Sequence, residues 1–99
     1  IVTHLDHVGG QEEQLQAIAR DKEIVQCDYP MILMGDMNMD AYFVDKVLEG
    51  QFEKKATNWV DYIGVGLGNG SFTAKGTRIE PFDGLSDHFA VLTRLTYEK

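Results

Sequence analysis

One short run limits what this chain can fold into: Pro30, then Met31-Ile32-Leu33-Met34, then Gly35-Asp36-Met37-Asn38-Met39-Asp40. An apolar run this short, bounded by turn-forming residues, predicts a strand over 31–34 that is buried on both faces. Gly35 is then expected to turn the backbone, so that Asp36 and Asn38 arrive together at the strand's carboxyl end. In sheets flanked by helices, ligands bind at that end, where loops meet a rigid frame. The same residues also fit a plain helix entry, with Asn38 or Asp40 as the cap.

The rest of the chain supplies the elements around that strand. Residues 1–5 alternate Ile1, Thr3 and Leu5 against Val2 and His4, a strand pattern. From Gln11 to about Gln26, Leu15, Ile18, Ala19 and Val25 fall on one side of a helix whose first turn carries Glu12 and Glu13, where negative charge suits the dipole. Asp28-Tyr29-Pro30 breaks it. A second helix is expected over 41–49, with Phe43, Val47 and Leu48 as core residues and Gly50 as its stop. A linking segment then reaches Trp59, and 60–65 reads as a strand. The glycines of 64–70 read as a surface loop. Strands over 71–73 and 77–82, a turn at Asp83-Gly84 and a last strand over 89–97 complete the pattern.

Segments 31–34 and 89–92 are apolar on both faces, so the sheet requires cover on both sides. The two helices can cover one side. The residues offer nothing for the other, which predicts a sheet face that pairs with a further layer or with a copy of itself.

Charge narrows the partners. With 9 Lys+Arg against 16 Asp+Glu the formal net charge is −7, and binding to a polynucleotide normally relies on a basic surface that displaces counterions from phosphates. Nucleic acid is therefore possible as a substrate but not favoured. Hydrophobic residues make up 43% of the 99 residues, enough for a core, and no apolar run is long enough to span a membrane. The single cysteine, Cys27, excludes an internal disulfide framework and a multi-cysteine zinc site.

Four short motifs carry the chemistry. Thr3-His4-Leu5-Asp6-His7 stands near the start, Gly35-Asp36-Met37-Asn38 follows, then Val60-Asp61-Tyr62-Ile63, then Leu85-Ser86-Asp87-His88-Phe89. In this order they resemble the C-terminal half of the endonuclease/exonuclease/phosphatase superfamily, which includes deoxyribonuclease I type nucleases, abasic-site endonucleases, neutral sphingomyelinases, inositol polyphosphate 5-phosphatases and deadenylases. The resemblance covers nearly all of residues 1–99. It implies an α/β fold that is half of a four-layer α/β/β/α sandwich: a mixed, mainly antiparallel sheet with helices on one face, the other face packing on a sheet from an N-terminal half absent here.

The resemblance also implies a metal-dependent phosphoric ester hydrolase that uses Mg²⁺ or Mn²⁺. Phosphate-ester hydrolysis requires an activated water, neutralised phosphoryl oxygens and help for the leaving oxygen. By match to the family motifs, Asp36 would orient or deprotonate the water and Asn38 would hold a phosphate oxygen or the nucleophile. Asp87 would sit by the metal, His88 would contact the phosphate and carry a proton, and Asp61 would orient His88. His4 would bind the phosphate or protonate the leaving group. A carboxylate on one ring nitrogen fixes a histidine's tautomer and favours its charged form, which is the physical sense of the Asp61–His88 pairing. Asp6 and His7 belong to a variant of the first motif with less transferable roles, and a lone histidine on a strand is more often structural.

Two departures stand out. The superfamily's metal-binding glutamate lies in the N-terminal half, so residues 1–99 alone are expected to be inactive. The arginine common early in the helix after the first motif is replaced by Gln11-Glu12-Glu13-Gln14. The acidic balance favours small-molecule or lipid-headgroup phosphate esters as substrates; a DNA or RNA nuclease and a non-catalytic binding module that retains the fold are the alternatives.

Overall fold

Alternating and helical apolar spacing resolve into eight elements in the computed structural model, which describes residues 1–5, 9–21, 24, 29–48, 50–66, 71–81 and 88–98. In chain order they are β1 (Val2–His4), α1 (Gln11–Arg20), β2 (Ile32–Asp36), α2 (Ala41–Leu48), β3 (Phe52–Asn58), β4 (Asp61–Gly66), β5 (Ser71–Glu80) and β6 (Ala90–Glu98). Strands β1 to β4 form one sheet in the order β1-β2-β4-β3, and β5 and β6 pair as a separate hairpin. The β1–β2 pair is parallel and every other pair antiparallel. The fold is mixed α/β, with strands predominating. No helix among the described residues is long and apolar enough to cross a membrane.

Both helices pack on one face of the four-stranded sheet. Leu15 and Ala19 of α1 and Val44 and Leu48 of α2 join Leu33, Phe52 and Tyr62 in a single buried cluster. Helix α2 starts where Asp40 caps it, the Asp40 carboxylate accepting a hydrogen bond from the Tyr42 N–H at 2.9 Å. The Tyr62 hydroxyl donates to Asp45 of α2 at 2.7 Å, tying helix to sheet. Burial first, and the hydrogen bond and charge of Asp45 next, raise the pKa of Tyr62 above its ordinary 10.0.

Several expectations change in detail, each for a local reason. Gly35 does not turn the chain; it lies inside β2 at φ 150°, and a Cβ there would fall 1.8 Å from the Thr3 carbonyl oxygen. Its role is to let β1 approach, which carries the strand two residues further and places Asp36 on it. Gly64 and Gly66 belong to β4 rather than to a loop. A side chain at Gly64 would strike the Tyr62 ring at 2.6 Å, so this glycine makes room for the tyrosine. Residues 67–70 lie outside the described residues.

The segment read as a link to Trp59 contains β3, an edge strand whose register shifts between Lys54 and Ala56. A bulge and charged side chains are common protection for an exposed edge, and they erase the alternation that identifies a strand. The two strands expected at 71–73 and 77–82 are one, β5, bulged at Gly76 with φ 66°. Helix α1 ends at Arg20, short of the expected end near Gln26, because Asp21 takes an extended backbone at φ −64° and ψ 125°; Glu49, the expected last residue of α2, and the turn at Asp83-Gly84 fall outside the described residues.

Candidate active site at the end of the sheet

Strand pairing fixes which side chains meet. His4 pairs with Asp36, Asp36 with Asp61, and Asp61 with Asn58, so these four residues form one row across β1, β2, β4 and β3. Paired residues point to the same face of a sheet. This row therefore lies on the face opposite the helices, at the carboxyl ends of β1 and β2. His88, just before β6, completes the group.

The distances join the row into a chain of carboxylates and imidazoles. His88 Nδ1 stands 2.8 Å from Asp61 Oδ2, and its Nε2 stands 3.6 Å from Asp36 Oδ2. On the other side of Asp36, His4 Nε2 is 3.4 Å from the same Oδ2. The Asp36, Asp61 and His88 side chains are 16%, 23% and 24% exposed, whereas His4 is 75% exposed. A half-buried carboxylate bonded to one ring nitrogen fixes the imidazole's tautomer.

Backbone ties hold these side chains in place. The Leu5 N–H donates to the Asp36 carbonyl at 2.9 Å and the Met37 N–H to the Val60 carbonyl at 2.8 Å. Asn38 takes a left-handed conformation, φ 50°, and its N–H donates to Asp36 Oδ1 at 2.8 Å. That bond orients the Asp36 carboxylate, in the manner of an Asx turn. The Asn38 side-chain amide donates to the Leu5 carbonyl. Asn38 thus braces Asp36 and the exit of β1. Both readings of the 34–40 stretch hold in part: Asp36 enters the cluster while Asp40 caps α2.

Of the sequence-predicted site residues, the structure brings His4, Asp36, Asp61 and His88 into one cluster and attaches Asn38 at its edge. Asp87, expected beside the metal, lies outside the described residues, as do Asp6 and His7. Asn58 and Trp59 were missed. Asn58 shares the row with Asp61, and the Trp59 ring centroid lies 4.8 Å from that of His88. Reading 51–59 as a link concealed the register that brings both to the site; the directly preceding position of Asn58-Trp59 before Val60-Asp61 was the available signal.

The donor set bears on a metal. Asp36, Asp61 and His88 each offer one ligand atom within 4.8 Å of the others. Mg²⁺ and Mn²⁺ favour carboxylate oxygens and keep several waters. The two aspartates fit that preference. His88 Nδ1 does not, because it is bonded to Asp61. The residues present therefore fit a hard cation held by carboxylates and water, with His88 beside it rather than on it.

No protein-family model, no curated protein and no solved structure matches this chain.

Proposed function

We propose that this chain is the C-terminal half of a metal-dependent phosphoesterase domain, with a second sheet packing on the face opposite the helices to give an α/β/β/α sandwich. The observation that carries this reading is the Asp61–His88–Asp36–His4 chain at one end of the sheet, 2.8, 3.6 and 3.4 Å from link to link. Asp36 and Asp61, together with Asp87, would hold Mg²⁺ or Mn²⁺. A bound ion supplies neutralisation of phosphoryl charge and a more acidic water.

The side chains divide the remaining work. The Asn38 N–H holds Asp36 so that Oδ2 faces the site, where it orients the attacking water and accepts its proton. The water oxygen forms the new bond to phosphorus as the bond to the leaving oxygen breaks in line. His88, fixed through Nδ1 by Asp61, presents Nε2 to a phosphoryl oxygen. Exposed His4 gives its proton to the leaving oxygen. The net charge of −7 favours small or lipid-headgroup esters over long nucleic acid.

The test uses the full-length protein that contains this chain, assayed on bis(p-nitrophenyl) phosphate, p-nitrophenyl phosphate and duplex DNA. Hydrolysis of a small ester that requires Mg²⁺ and stops with chelator is expected. Preference for DNA would shift the substrate class to nuclease, and no metal-dependent hydrolysis of any of the three would refute the reading.

A further inference from the structure

Over Ser71–Lys75 and Leu92–Glu98 of the β5–β6 hairpin, exposed residues alternate with half-buried ones. Pairing sets Thr73 opposite Thr96, Lys75 opposite Arg94 and Arg78 opposite Leu92, and paired residues share a face. All six are on the exposed, outer face except where alternation is interrupted between Lys75 and Arg78. Three residues apart, these two would point to opposite sides of a regular strand. The bulge cancels that difference. Gly76 and Thr77 stand against the single residue Thr93, with Gly76 at φ 66°, so Arg78 returns to the face of Lys75. Three of the chain's nine Lys and Arg side chains thus gather on one outer face of a protein whose net charge is −7.

Like charges set directly opposite on two strands repel and destabilise the pair. Glu80 relieves Arg78, its carboxylate 3.3 Å from Arg78 Nε. Among the described residues, no carboxylate pairs with Lys75 or Arg94. Glu98 lies at the far end of the face, four residues along β6 from Arg94, a strand distance of about 13 Å. Two cations and the hydroxyls of Thr73 and Thr96 therefore occupy adjoining rungs of one exposed face. A tetrahedral dianion placed there turns the repulsion into charge-assisted contacts, with arginine offering a planar fork and lysine a point charge. We propose that the outer face of the β5–β6 hairpin binds one phosphate group, held between Lys75 and Arg94 and flanked by Thr73 and Thr96. None of these residues belongs to the polar row or touches His88, and the proposal does not rest on the phosphoesterase reading.

The full-length protein that contains this chain is titrated with inorganic phosphate at fixed ionic strength. Chelator is present, so that no divalent cation gathers phosphate at the polar row. Calorimetry and thermal melts compare wild type with K75Q, R94Q and R20Q, the last removing a charge from the exposed end of α1. Wild type and R20Q bind phosphate and melt higher with it. K75Q and R94Q bind it about 10-fold or more weakly, the scale of a lost charge-assisted bond. Without phosphate they melt no lower than wild type, because the repulsion is gone. Vesicles of phosphatidylcholine with and without phosphatidic acid separate the two sources of the group. Co-sedimentation that requires both phosphatidic acid and Arg94 assigns the patch to a lipid-borne phosphate, and calorimetric binding alone assigns it to a free one. Binding in neither assay would overturn the proposal, as would phosphate binding that R20Q weakens as much as R94Q, or that no variant weakens. Melting temperatures of K75Q and R94Q well below wild type would do the same, since the two side chains would then brace the fold.

Discussion

On the helix side of the four-stranded sheet, Leu33 is fully buried and Tyr62 and Phe52 nearly so. One residue along the strands, on the opposite face, Val2, Met34, Ile63 and Ala56 form a matching row across β1, β2, β4 and β3. Exposure along that row is 5% at Ala56, 38% at Met34 and 82% at Val2. Hairpin β5–β6 lies against β3, which explains why cover begins there and fades toward β1. The apolar stretches of the two faces differ in what lies over them. The polar row His4–Asp36–Asp61–Asn58 is on the uncovered face, two residues along from the apolar row, so a layer packing on the apolar row would wall the site.

The largest effect expected concerns the polar row. Asp36→Asn in the full-length protein should lower kcat by about 10²–10⁴-fold while KM changes little, the range for losing a group that moves a proton. It should leave the melting temperature within a degree or two of wild type, which separates the chemistry of this face from the stability of the other. An equal fall in kcat and stability would erase that separation.

Next in size is the contrast between neighbours on β2. Leu33→Ala opens a cavity under the helices and should cost about 2–5 kcal/mol in chemical denaturation. Met34→Ala, one residue on but facing the other way, should cost the chain alone under about 1 kcal/mol. Equal costs would mean that the second face is already covered.

The Tyr62–Asp45 tie gives a smaller, pH-dependent effect. Tyr62→Phe should lose about 1 kcal/mol. Because the folded chain holds the Tyr62 proton above its ordinary value of 10.0, stability from this group is intact below about pH 10 and falls as pH rises beyond it, where the unfolded chain loses the proton first. Thermal melts between neutral and alkaline pH should show that decline in wild type and a weaker one in Tyr62→Phe.

Smallest is Val2→Thr, which should leave the stability of the isolated chain within about 0.5 kcal/mol. It should reduce self-association at high concentration, measured by light scattering, because it removes an apolar group from the exposed end of the row.

What could be read from the sequence follows the same division. Strand β1 announces itself through alternation, β2 through a short apolar run, and β4 and β6 through their apolar patterns, and the order of their flanking motifs places His4, Asp36, Asp61 and His88 near one another. Residues whose meaning depends on a neighbour were harder to read. Gly35 looks like a turn until Thr3 is seen packed against it, and Gly64 looks like a loop until the Tyr62 ring is seen over it. Strand β3 has a bulge and three charged residues at its middle, so nothing in its own order shows a strand. Asn58 and Trp59 reach the site only through the register of that strand.

The central claim, that the polar row on the uncovered face is a cation and phosphate-ester site, is tested most directly by paramagnetic broadening with substoichiometric Mn²⁺ in isotope-labelled chain. Broadening should be centred on Asp36, Asp61 and His88, weaken at His4 and Asn58, and disappear in Asp36→Asn. Broadening centred on the acidic first turn of α1 at Glu12 and Glu13, with the row unaffected, would contradict it.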